Sequence, residues 1–333
     1  MAIDRLTLYD ALYGLAADEG REQALFGTCA PLAHEAFKRS LARDGFPIVW
    51  FELPLAGEPR FDLHVALSRK QLQAGAQFLA GAGNGYDELL RWYADEEQGG
   101  NGLAFAYDIS EGRIEYPAIH INVNKAPLSN MDRFFDLATD SGAARLYADF
   151  ARRLPPGWNV WYVGVHPGRP GSPIRVDCFV SSALKAAYAA DITLLERGLH
   201  ACGFSATGPA LRELVMPILA SPYRLELQFD VMRDGKLGPT LGVSAAFTER
   251  AAPAVHQAFG EGGSAATLMS AVENRGLCDG RWHHVPDATF TKLIRVDGSA
   301  LALYCMPTFV KLRMRDGTPL DAKFYLQASA VIL

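Results

Sequence analysis

Thr308-Phe309-Val310-Lys311-Leu312-Arg313-Met314, the turn Arg315-Asp316-Gly317-Thr318-Pro319, and Leu320-Asp321-Ala322-Lys323-Phe324-Tyr325-Leu326-Gln327 read as the last β-hairpin of the chain. Successive side chains of a β-strand point to opposite faces. Thr308, Val310, Leu312 and Met314 therefore share one face with Ala322, Phe324 and Leu326, while Lys311, Arg313, Lys323, Tyr325 and Gln327 share the other. A hairpin with one apolar and one cationic face is either a solvated sheet surface or one wall of an anion site. The rest of the chain bears on the choice.

The same alternation occurs four times upstream. Residues 48–53 pair with 60–68 around Gly57, and 103–108 with 118–124 around Glu111-Gly112. Residues 158–165 pair with 174–180 across the Pro/Gly-rich turn at Gly168, and 225–230 with 241–247 around Asp234-Gly235. These are hairpin signals. Helical spacing fills the intervals at 70–97, 130–153, 183–219 and 253–274, and precedes the first hairpin at Leu8, Leu12 and Leu15 and again near Ala36 and Leu41. A repeat of this kind cannot bury its apolar face alone, so neighbouring units assemble. Five hairpins supply ten antiparallel strands, near the number at which a twisted sheet curls or splits. Closure into a barrel removes the exposed edges. The expectation is an α+β chain: one domain over 1–333, a ten-stranded closed barrel from five hairpin repeats surrounded by helices, with an insertion around 280–304. An open sheet with helices on one side would show the same alternation.

The 333 residues are 49% hydrophobic and 21% charged, as in an ordinary folded globule, and the net charge of −5 argues against a general nucleic-acid or anionic-membrane surface. Any anion site is local. Five scattered cysteines without a CxxC spacing read as reduced thiols. The first residues lack a signal-peptide layout and no apolar run approaches the roughly 18 residues of a membrane span, so a cytoplasmic location is expected.

With helices outside, the apolar strand face packs beneath them and the polar face lines the lumen. That inward set is Trp50, Glu52, Arg60, Asp62, His64, His120, Asn122, Asn124, Arg175, Asp177, Glu226, Gln228, Asp230, Lys311, Arg313, Lys323 and Tyr325. The eighth strand contributes only Thr240, Gly242, Ser244 and Ala246, which leaves space. Converging charges exceed what a structural barrel requires, because unpaired buried charge is costly. Lys and Arg from several strands suit a phosphate or diphosphate, and the absence of a Walker A or GxGxxG loop means such a site is built from side chains. Lumen salt bridges are the plain structural alternative.

Five antiparallel hairpins with outer helices, Glu52 in Trp50-Phe51-Glu52-Leu53, and a late Lys-x-Tyr spacing at Lys323 and Tyr325 resemble the ABBA-fold aromatic prenyltransferases, nearest the cyanobactin-type peptide prenyltransferases. The resemblance implies that Glu52 hydrogen-bonds or deprotonates the acceptor, and that Lys311, Arg313, Lys323, Tyr325 and Arg175 hold a diphosphate. His64 and His120, standing where relatives often carry Arg or Lys, are implied as further members of the diphosphate site, and Asp177 replaces a phenol. The implied reaction moves a dimethylallyl or geranyl group from its diphosphate to an aromatic small molecule or a peptidyl Tyr, Trp or His. Trp50, Tyr107, Trp161, Tyr162, Phe229, Gly242 and Ser244 are the expected prenyl and acceptor pocket. No organic cofactor is implied, and Mg²⁺ through Asp62, Asp177 or Glu226 is the candidate metal. Two alternatives stay open: a non-catalytic barrel that binds an anionic or amphipathic ligand or a peptide, and an acid/base enzyme using Glu52, His64 and Asp62 on an unphosphorylated substrate.

Overall fold

The computed structural model describes residues 48–67, 86–95, 102–110, 113–114, 117–123, 128–167, 171–296 and 299–332. The helical spacing at Leu8, Leu12, Leu15, Ala36 and Leu41, the turn glycines Gly112 and Gly168, and Asn124 lie outside the described residues.

All five hairpins form. They are β1 (Ile48–Pro54) with β2 (Asp62–Leu67), β3 (Leu103–Tyr107) with β6 (Ala118–Asn122), β7 (Trp158–Val165) with β8 (Ile174–Val180), β9 (Arg224–Val231) with β10 (Leu237–Ala246), and β12 (Ser299–Arg315) with β13 (Thr318–Ile332). A small pair, β4 (Ile109–Ser110) and β5 (Arg113–Ile114), tips the second hairpin. Pairing of β13 with β1 and of β10 with β12 closes these ten main strands into one antiparallel barrel. The expected insertion around 280–304 is a short 3₁₀ turn, Gly280–His284, followed by an eleventh strand, β11 (Phe290–Val296), which pairs with the first half of β12. The last hairpin therefore starts at Ser299 and not at Thr308.

Eight α-helices are seen among the described residues: α1 (Tyr86–Asp95), α2 (Leu128–Ala138), α3 (Ser141–Ala151), α4 (Ser182–Ala190), α5 (Thr193–Cys202), α6 (Pro209–Ala220), α7 (Ala252–Phe259) and α8 (Ser264–Glu273). The expected helical segments are thus broken into pieces, and the breaks have local causes. The Asp140 side chain accepts the backbone N–H groups of Gly142 and Ala143 and starts α3. Gly203, at φ 97°, ends α5 in the left-handed region open to glycine, and Pro209 opens α6 at a position where its missing N–H costs nothing. None of these helices is long and apolar enough to cross a membrane.

The core lies between barrel and helices. Phe324 of β13 packs on Phe247 at 5.4 Å and on Phe259 of α7 at 5.9 Å, while Phe229 of β9 packs on Phe150 of α3 at 5.5 Å and stacks with Trp158 of β7 at 6.0 Å. Burying each such ring is worth about 1.5–3 kcal/mol, which turns the apolar face of every strand outward and leaves the polar set to the lumen. Among the described residues four register shifts interrupt the ladders, and two of them adjust the phase beside the lumen. In β7 the register slips between Val160 and Tyr162, and in β12 between Pro307 and Phe309. Thr308, expected on the apolar face beside Val310, is the extra residue of the second bulge; its carbonyl accepts Phe247 N–H at 2.8 Å and its hydroxyl donates to the Tyr325 carbonyl at 3.2 Å.

Candidate active site

The closing seam of the barrel gathers residues from both ends of the strand order. Register places Tyr325 and Asp62 on either side of Glu52, and His64 opposite Trp50. Glu52 Oε2 accepts the Tyr325 O–H at 2.5 Å and lies 3.1 Å from His64 Nε2. Its Oε1 accepts from Lys323 Nζ at 2.5 Å, with Lys311 Nζ at 3.9 Å. Lys323 also donates to Asp62 Oδ2 at 3.1 Å, and Asp62 Oδ1 accepts the Ile109 N–H at 3.1 Å.

Burial would raise the Glu52 carboxyl, but the Lys311 and Lys323 ammoniums and the His64 hydrogen bond outweigh it and hold Glu52 well below the usual carboxylate range. Burial pulls Lys323 down, yet Glu52 and Asp62 leave it raised. Lys311, whose anionic neighbours are more distant, is pushed by burial down to about 8. Burial and the Glu52 anion drive the Tyr325 phenol well up, so it stays an O–H donor.

Beside the seam opens a cavity of about 100 Å³, several times the roughly 10–15 Å³ that a single water needs on the same measure. Its lining is Trp50, His64, Ala104, His120, Trp161, Tyr162, Arg175, Asp177, Glu226, Gln228, Ser244, Phe309, Lys311 and Tyr325. The β7 bulge is why the adjacent Trp161 and Tyr162 both face inward. Trp161 donates its indole N–H to Glu226 Oε1 at 2.8 Å and packs edgewise on Tyr162. Arg175 is held by Asp230 through two hydrogen bonds of 2.9 and 3.1 Å, and Asp177 accepts from Gln228 at 2.6 Å. Burial, offset only in part by Arg175, raises Asp177; burial and the Asp177 charge push Glu226 up to about 8.

The structure brings together most of the residues singled out in the sequence and moves others. Glu52, Lys323, Arg313 and Asp62 are outside the cavity lining; the first two stand behind His64, Tyr325 and Lys311, and Arg313 forms a two-point pair with Asp321. Phe229 is on the outer face under α3, not in the pocket, because it is out of phase with Glu226, Gln228 and Asp230. Tyr107 lies opposite Leu63 and packs on the outer core, while its neighbours Ala104 and Ala106 take the lumen positions. Arg60 precedes β2 and is exposed. The space expected beside Gly242 is taken: a Cβ there would meet Gln228 at 3.0 Å and Lys311 at 3.4 Å. Phe309 and Ala104 line the cavity without having been singled out; for Phe309, a place two residues before Lys311 was the available signal.

Among the described residues no three His, Cys, Asp or Glu side chains gather as a metal site. Asp62 accepts from Lys323, Asp177 from Gln228 and Glu226 from Trp161.

The chain is thus a closed antiparallel barrel with an ion-paired, aromatic-walled lumen. No protein-family model matches the chain, and no curated protein matches it. Solved structures do match. The crystal structure of 5-dimethylallyltryptophan synthase from Streptomyces coelicolor aligns at 11% identity over 98% of this chain and 95% of that one, with a TM-score of 0.44. AnaPT from Neosartorya fischeri aligns at 10% identity over 97% and 91%, with a TM-score of 0.48.

Proposed function

We propose that the chain is a prenyltransferase that moves a dimethylallyl or geranyl group from its diphosphate to an electron-rich aromatic acceptor in the lumen, including a peptidyl Tyr, Trp or His. The observation that carries this reading is the seam cluster of Glu52, Lys323, Lys311 and Tyr325 meeting a cavity walled by Trp50, Trp161, Tyr162 and Phe309. Fixed cations stabilise negative charge where it develops on a leaving group, and Lys311 and Arg175 are the Lys and Arg side chains on the cavity wall among the described residues. Aromatic faces attract an allylic cation at about 0.5–2 kcal/mol per contact and exclude water from it.

Incubation with dimethylallyl or geranyl diphosphate, with and without Mg²⁺, and a panel of aromatic small molecules and Tyr-, Trp- and His-containing peptides tests the reading. An acceptor that gains the mass of the prenyl group, with release of pyrophosphate, supports it. Absence of product over the whole panel removes it.

One observation favours a second reading. Arg175, Arg313 and Lys323 each face a carboxylate, so the lumen presents charge already paired. A non-catalytic barrel holding an anionic or amphipathic ligand or a peptide would use such a lumen, and would bind members of the same panel without turnover.

A further inference from the structure

Glu52 does not itself form the cavity wall. Lys323, Tyr325 and His64 occupy its two oxygens at 2.5, 2.5 and 3.1 Å, and of these groups His64 and Tyr325 line the cavity. An acceptor entering the cavity meets the imidazole and not the carboxylate. The neighbouring strands leave room for it. β3 places Ala106 opposite His64 and Ala104 opposite His120, and β7 places Gly164 opposite His120, where a Cβ would meet the His120 ring at 2.6 Å. Small residues beside each ring let the two imidazoles stand 5.8 Å apart on the lumen side.

Glu52 is ionised and only accepts, so the hydrogen in its contact with His64 belongs to Nε2. Nδ1 is then the ring's lone-pair nitrogen.

We infer that His64 is the base of the transfer reaction proposed above, with Glu52 as the residue that positions it; the inference rests on that reading. In the step, the allylic C–O bond breaks and its electron pair leaves with the diphosphate. The acceptor's ring carbon or heteroatom bonds to the allylic carbon, and the proton on that atom passes to His64 Nδ1, giving an imidazolium paired with Glu52. The titratable groups around His64 are Glu52 on β1, Lys311 on β12, Lys323 and Tyr325 on β13 and His120 on β6; β3 contributes alanine.

The test compares pH–rate profiles of wild type, His64→Gln and Glu52→Gln, with near-UV circular dichroism to confirm folding, alongside ¹⁵N NMR of the histidine rings in the free protein. His64→Gln is expected to lower kcat about 100-fold with acceptor KM within a few-fold, to remove the acid limb of the profile, and to be partly rescued by added imidazole. Glu52→Gln is expected to keep that limb while lowering kcat. NMR is expected to show neutral His64 protonated at Nε2. An acid limb that survives in His64→Gln but vanishes in Glu52→Gln overturns the inference and leaves the transferase reading standing, as does a neutral His64 protonated at Nδ1. A wild-type protein that transfers no prenyl group overturns both.

Discussion

Glu226 shows how the lumen differs from a surface carboxylate. Burial and the Asp177 charge disfavour its anion and push the carboxyl from the ordinary value of 4.5 up to about 8. A raised carboxyl of this kind contributes stability that is full below the unfolded value and is lost as pH rises towards 8. Glu226→Gln, whose amide oxygen still accepts the Trp161 N–H, should match wild type near pH 4.5 and become progressively more stable than wild type up to about pH 8, read as the difference in unfolding free energy by urea titration at each pH. Phe229 gives the complementary outcome on the outer face. Phe229→Ala should cost about 3–5 kcal/mol through loss of its packing on Phe150 and Trp158, while leaving lumen ligand preference unchanged. An altered acceptor preference with little loss of stability would return Phe229 to the pocket. Its phase in Leu225 to Val231 was already legible in the sequence; residue type, an aromatic near a suspected prenyl site, argued against the phase, and the phase prevailed.

At the scale of elements, the bulges set which side chains reach the lumen. Thr308 is the extra residue between the Pro307–Leu326 and Phe309–Tyr325 pairs, so deleting it would leave Phe309, Lys311 and Arg313 opposite Tyr325, Lys323 and Asp321 with the cations still on the lumen side, and would remove only the Thr308 contacts to Phe247 and Tyr325. The expected outcome is a cooperative thermal transition at a reduced Tm; a deletion variant that loses cooperative melting would contradict the placing of Thr308 as the unpaired residue. Capping is a milder matter: Asp140→Ala should lower stability by about 1 kcal/mol through its contacts to Gly142 and Ala143, visible as a reduced Tm. Period-two alternation made the five hairpins and most of the lumen set readable, since one face of each strand had to be apolar. The bulge at Trp161 and Tyr162 was not readable, because two adjacent aromatics fit either phase until the partner strand fixes the register. The eleventh strand, Phe290 to Val296, carries strand-forming residues but sat in a segment taken as an insertion.

For the whole molecule, closure is what joins Glu52 to Lys323 and Tyr325 across most of the chain, and it was the expectation drawn from edge avoidance in the sequence. Pairing of the lumen cations with Asp230, Asp321, Glu52 and Asp62 was beyond the sequence, because it depends on cross-strand register and not on strand phase. The chamber's use follows from its walls, and Ser244 stands on one of them between Lys311 of β12 and Glu226 of β9. The most direct measurement is prenyl transfer by wild type and by Ser244→Trp, followed by mass spectrometry of the acceptor with the thermal transition of both proteins recorded. Wild type should add the prenyl mass, and Ser244→Trp, folded but with its lumen filled, should add none. Equal transfer by a folded Ser244→Trp, or none by wild type with any donor, would contradict the assignment of the chemistry to this cavity.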